Sequence, residues 1–95
     1  MNYSVSTELY EEVAARLEEA IGGGSYFSGS LEFDWEDVGC RLTASVIVYR
    51  RRERYPEGDR DEISDLVPVW WEFHTTGPDG EMLNDFTFSE LRALF

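Results

Sequence analysis

His74 and Cys40 are the single histidine and the single cysteine of the chain, and they are its obvious candidates for nucleophilic chemistry. A Cys–His pair works only when both side chains lie on the same side of a sheet, within hydrogen-bond reach. Strand alternation places Cys40 on the core face and His74 on the opposite face, near Arg41. The sequence therefore predicts a structural cysteine and no nucleophilic pair. All eight basic residues are arginine, which also excludes lysine-based Schiff-base chemistry.

Three further segments have the composition of ligand sites but lack required residues. The acids of "DRDEISD" (59–65) are spaced as in a loose calcium loop, without the glycine and the bidentate glutamate of an EF-hand. Turn formation accounts for the acids of "PDGEMLND" (78–85). The triple glycine at 22–24 follows a predicted helix and lacks the lysine and hydroxyl residue of a P-loop. We therefore predict no enzyme activity, no cofactor and no metal.

The segment "YRRRERYPEGDRDE" (49–62) contains five of the eight arginines, in a chain of net charge −12. Basic residues interleaved with aromatics suggest a nucleic-acid contact. The same segment also carries five acids, so it is neutral, and the chain as a whole would repel phosphate. The sequence instead predicts a hairpin arm in which arginines face acids, with Arg54 opposite Asp61 and Arg50 opposite Asp65. We expect no direct nucleic-acid binding.

Length and composition indicate one folded domain over residues 1–95. Hydrophobic residues make up 42% and aromatic residues 15% of the chain, which is too much for a disordered polymer. The sequence has no apolar run of the roughly 18 residues needed to cross a bilayer, and its start lacks the pattern of a signal peptide. We expect a soluble cytoplasmic protein with no membrane contact.

Two helices are predicted, one at each end of the domain. The first has Leu9, Val13 and Leu17 at helical spacing, with Ser6 as its N-cap, and the triple glycine ends it. The second begins at a capping box formed by Thr87 and Glu90. It is so short that only docking on the sheet would hold it.

Period-two alternation predicts three strands between the helices, in "SYFSGSLEFDW", "CRLTASVIVY" and "LVPVWWEFHT". A tight turn at Asp37–Val38 would pair Phe33 with Leu42 in the first hairpin. A turn at Glu57–Gly58 would define the second hairpin, with the cross-strand pairs Val48–Val67, Val46–Val69, Ala44–Trp71 and Leu42–Phe73. The turn "GPDG" (77–80) would fold back a short fourth strand.

The predicted fold is therefore α+β, an antiparallel three- to four-stranded meander with N- and C-terminal helices in the order α-β-β-β-(β)-α. Large apolar side chains on one sheet face require a cover, so both helices are expected on that face.

The second sheet face then carries an apolar cluster without a cover. In the predicted registers its members are neighbours, and they are the candidate binding residues: Tyr26, Ile47, Tyr49, Leu66 and Trp70. An exposed cluster of this kind on a small domain is typical of a binding surface. The alternative is that one helix covers this face instead.

These observations favour a non-enzymatic interaction module that binds a protein partner or a second copy of itself through the outer sheet face. The alternative is an acidic mimic of nucleic acid, because 15 acids and three arginines lie outside residues 50–62. Such a mimic would require acids in one continuous stripe.

Overall fold

The computed structural model describes residues 2–95, and it has an α+β fold with a five-stranded mixed sheet and two helices. Its strands are β1 (Asn2–Tyr3), β2 (Tyr26–Trp35), β3 (Val38–Tyr55), β4 (Gly58–Gly77) and β5 (Gly80–Asn84), and its helices are α1 (Thr7–Ile21) and α2 (Phe88–Arg92). From α1 onward the predicted order α-β-β-β-(β)-α is present, including the fourth meander strand, but the short strand β1 that precedes α1 was not predicted.

The strand order across the sheet is β1-β5-β4-β3-β2. The four strands of the meander are antiparallel, whereas β1 runs parallel to β5, so the sheet is mixed rather than purely antiparallel. Two residues are too few to show a period of two, and β1 therefore left no alternation signal in the sequence. The order leaves β2 at one edge of the sheet.

Both helices pack on the same sheet face, as predicted. Helix α1 buries Leu9, Val13 and Leu17 against that face, and α2 buries Phe88 and Leu91. The predicted caps are present. The Ser6 hydroxyl accepts a hydrogen bond from the Leu9 amide at 3.2 Å, and the Thr87 hydroxyl accepts one from the Glu90 amide at 3.4 Å.

The first hairpin has the predicted faces but a register shifted by two residues. Its turn residues are Glu36 and Asp37, not Asp37 and Val38, and both have positive φ, at 46° and 67°. A two-residue hairpin requires this left-handed backbone so that its twist matches that of the strands. Leu31 consequently lies opposite Leu42, and Phe33 opposite Cys40. A shift of two residues preserves which side chains face the core.

The second hairpin is interrupted by two β-bulges, and the predicted register holds only from Gly39 to Ser45. Val69 and then Ser64 have no partner on β3, so each bulge shifts the pairing by one residue. The first bulge is adjacent to Pro68, which has no N–H to donate to a central ladder. The predicted pairs Val46–Val69 and Val48–Val67 are therefore wrong, and Val48 lies opposite Leu66.

The hairpin arm beyond the second bulge follows the shifted register. Arg54 lies opposite Asp59 and Arg50 opposite Ile63, so the two predicted arginine–aspartate pairs are wrong. The arm turns at residues 56–57, where Pro56 fixes φ of the first turn residue. The arm gives the domain an elongated shape of 51 × 26 × 18 Å.

Candidate functional site

The outer sheet face, opposite both helices, carries an exposed apolar cluster. Tyr26, Tyr49 and Trp70 each expose about half of their surface, at 55%, 52% and 49%, and Ile47 exposes 38%. Four of the five predicted residues therefore lie where the alternation placed them. The alternative, that a helix covers this face, is wrong, because both helices pack on the opposite face.

Leu66 is the exception, because it lies in the core with none of its surface exposed. The Val69 bulge reverses the alternation of β4 for the residues that precede it. Leu66 therefore turns to the helix side opposite Val48, and Val67 turns outward opposite Ile47. The outer patch accordingly consists of Tyr26, Ile47, Tyr49, Val67 and Trp70.

The registers also change which members of the outer patch are neighbours. Tyr26 lies opposite Ile47 rather than Tyr49, and Tyr49 lies opposite Asp65 rather than Leu66. Trp70 lies opposite Ser45, which places it diagonally next to Ile47. Ile47 is therefore the centre of the patch, with an aromatic residue on each of the three strands that contribute to it.

The end of the outer face nearest β5 is charged, and His74 is its centre. The imidazole Nδ1 lies 2.8 Å from Glu81 Oε1, and Nε2 lies 3.0 Å from Glu72 Oε2. Hydrogen bonds to Glu72 and then to Glu81 raise the pKa of His74 above its ordinary value of 6.5. The protonated imidazole would thus bind two carboxylates at once, Glu72 on its own strand β4 and Glu81 on the neighbouring strand β5.

A shallow depression of about 430 Å³ surrounds this charged end. The charged side chains in its lining are Glu32, Asp34, Arg41, His74 and Glu81. Arg41 and His74 are paired positions on β3 and β4, so the cationic groups lie between the acids. Within residues 2–95, no group of histidine, cysteine and acidic side chains has the arrangement of a metal site.

Cys40 is buried in the core, as the alternation predicted. Burial, with a smaller contribution from the Asp34 charge, raises the pKa of its thiol to about 11. The thiol is therefore protonated at neutral pH and points away from His74, so the two residues are not brought together.

The arginines of the arm have several different partners. Arg50, predicted to pair with Asp65, instead donates to the carbonyl oxygens of Gly22 and Gly24, at 2.5 and 2.9 Å, and caps the end of α1. Asp65 pairs with Arg92 of α2 through two contacts of 2.7 and 2.6 Å. The cross-strand pair of the arm is Arg52 with Asp61, at 3.2 Å.

Comparisons with protein-family models, with curated proteins and with solved structures found no match for this chain. The helices within the described part of the chain are too short or too polar to cross a membrane.

Proposed function

We propose that this chain is a small, non-enzymatic cytoplasmic module that binds a protein partner, or a second copy of itself, through the outer patch. The observation that carries this proposal is the exposure of three large aromatic side chains on the sheet face opposite both helices. Their neighbours Ile47 and Val67 are also apolar. Contiguous apolar area of this kind is costly in water unless another molecule covers it.

The composition around the patch supports a protein ligand. Tryptophan and tyrosine are enriched among residues that dominate interface energies, and a tryptophan anchor contributes about 2 kcal/mol or more. Charged residues border the patch at both ends, with Arg41 and His74 on one side and Arg51 on the other. An apolar centre with a charged rim is the usual arrangement of a protein–protein interface.

The charge distribution supports this proposal over nucleic-acid mimicry. The acids of α1 lie on the helix side of the sheet, while Glu32, Asp34, Glu72 and Glu81 lie on the outer face. The outer acids also alternate with Arg41 and His74. A mimic would place its acids along one surface, as phosphates lie along a strand.

A pair of matched variants tests the proposal. Tyr49→Ser combined with Trp70→Ser should leave the far-ultraviolet circular dichroism unchanged, because neither side chain belongs to the core. The double variant should lose at least tenfold in partner recovery from host lysate. Leu83→Ser is the control, since Leu83 is 75% exposed but lies on β5, outside the patch. Equal recovery with both variants would refute the proposal.

A further inference from the structure

The free edge of β2 is the second surface without a partner. This strand has ten residues and pairs with β3 without a bulge, while its other side is the edge of the sheet. Protected edges usually contain proline, lysine, a bulge or a covering segment. β2 ("YFSGSLEFDW") contains no proline or basic residue, and its two acids, Glu32 and Asp34, lie toward its C-terminal end, so the rest of its edge is open to pairing.

The hydrogen-bonding groups at this edge belong to alternate residues. The Ser25 carbonyl accepts from the Val48 amide at 2.8 Å, and a two-residue turn separates the pair Trp35–Val38. Odd-numbered residues of β2 therefore direct their peptide groups toward β3. The even-numbered residues direct their peptide N–H and C=O groups away from β3, into the free edge of the sheet. These residues are Tyr26, Ser28, Ser30, Glu32 and Asp34.

We infer that this edge binds the β2 edge of a second copy of the chain, as an antiparallel pair with a two-fold axis at Ser30. In this register Ser30 lies opposite Ser30 of the second copy, Ser28 opposite Glu32, and Tyr26 opposite Asp34. Every directly opposed pair of even-numbered residues exchanges two backbone hydrogen bonds, which an antiparallel ladder requires.

The side chains fit a second copy on both faces. On the outer face each acid lies opposite an uncharged hydroxyl residue, so no like charges are directly opposed. On the helix face Phe27 lies opposite Phe33, and both rings are only partly buried in the single chain. The Phe27 ring lies against Gly29, which leaves room on this face. Leu31 of the second copy would lie opposite that glycine. Moving the two-fold axis from Ser30 to Glu32 would instead place Glu32 opposite itself, with like charges directly opposed.

Of the outer patch, only Tyr26 lies on the pairing edge, because Ile47, Tyr49, Val67 and Trp70 belong to the inner strands β3 and β4. A two-fold axis through an antiparallel pair is perpendicular to the sheet, so the two outer patches would lie on the same side of one continuous sheet. Binding through the patch and dimerisation through β2 can therefore be tested separately. Tyr49→Ser combined with Trp70→Ser should leave the dimer intact.

Sedimentation equilibrium of the full chain tests the inference. The weight-average mass should rise with concentration from 11.0 kDa toward twice that value. Ser30→Lys and Ser30→Glu should each weaken the dimer roughly fivefold or more, because like charges then meet at the axis. An equimolar mixture of the two variants should restore it. Thr43→Lys is the matched control, because the side chain of Thr43 hydrogen-bonds that of Ser30 at 2.7 Å but lies one strand inward.

Disulfide trapping gives a second readout that does not depend on charge. Directly opposed Cα atoms in a hydrogen-bonded pair are about 5.5 Å apart, which suits a disulfide. Ser30→Cys should form a covalent dimer on mild oxidation, and Thr43→Cys should not, while the native Cys40 is buried. A wild-type mass that stays at 11.0 kDa up to about 1 mM protein, or equal trapping through positions 30 and 43, would overturn the inference.

Discussion

The two long hairpins of the sheet differ in the continuity of their strand pairing. The β2–β3 hairpin has ten successive pairs without interruption, whereas the β3–β4 hairpin contains two bulges. In the first hairpin a register error of two residues left every face assignment correct. In the second, one unpaired residue exchanged the faces of Leu66 and Val67. Alternation therefore assigns faces reliably only where the ladder is continuous.

The largest expected effect comes from substituting Leu66 and Val67, the two neighbouring residues whose faces the bulge exchanges. Leu66→Ala should lower the free energy of unfolding by about 3 kcal/mol, because it removes a fully buried side chain. Val67→Ala should cost less than about 1 kcal/mol, since Val67 faces outward. Urea unfolding of both variants measures the difference. Equal losses would mean that β4 has no bulge at Val69.

The adjacent tryptophans provide the next test, in the part of the hairpin that follows the bulge. Trp71 packs against Phe86 and Phe88, with ring centroids 5.5 and 6.2 Å apart, whereas Trp70 is on the outer face. Trp71→Ala should destabilise the domain by about 2–3 kcal/mol, less than a full core deletion because Trp71 is half-buried. Trp70→Ala should change stability by about 0.5 kcal/mol or less.

Thermal unfolding followed by circular dichroism would compare the two tryptophan variants under the same conditions. Comparable losses for both would show that Trp70 is also part of a packed layer, and the outer patch would then not be a free surface.

Much of the fold follows from local sequence signals. The caps at Ser6 and Thr87, the helical spacing of the buried leucines in α1, and the alternation of β2 and β3 each lie within one element, where short-range chemistry decides the conformation. The shared helix face also followed, because only one sheet face carries enough large side chains to require a cover.

The wrong predictions concern features that depend on contacts between separate elements. Pro68 was a visible signal, since a proline within a central strand indicates a bulge, but the position of the unpaired residue depends on both strands. Arg50 could not be assigned to the end of α1 from sequence, because that contact joins residues 26 and 28 positions apart. Of the candidate site, four residues lie on the predicted face, and the exchange of Leu66 for Val67 is a direct consequence of the bulge.

The turn of the regular hairpin offers a smaller, stabilising test. Glu36 and Asp37 both adopt positive φ, which costs free energy for a residue with a side chain, particularly for glutamate. Replacing them by the Asn-Gly pair that favours this turn, Glu36→Asn with Asp37→Gly, should raise the free energy of unfolding by about 1 kcal/mol. A lower melting temperature in this double variant would contradict the observed turn.

The smallest expected effect is a pH dependence at the junction of β4 and β5. The pKa of His74 is raised in the folded protein, so its contribution is fully present below pH 6.5 and is lost as the pH rises through the folded value. The stability difference between the wild type and His74→Asn should therefore shrink from pH 5.5 to pH 8.5, as measured by urea titrations. A difference that grows with pH would mean that Glu72 and Glu81 do not hold the imidazolium.

Site-specific photo-crosslinking would show whether the outer patch is the contact surface. A benzophenone amino acid at position 49, within the outer patch, and one at position 18, on the exposed side of α1, would be irradiated in host lysate and with purified protein. We expect discrete higher-mass adducts from position 49 and only diffuse background from position 18. Adducts from position 18 in the absence of any from position 49 would contradict this expectation.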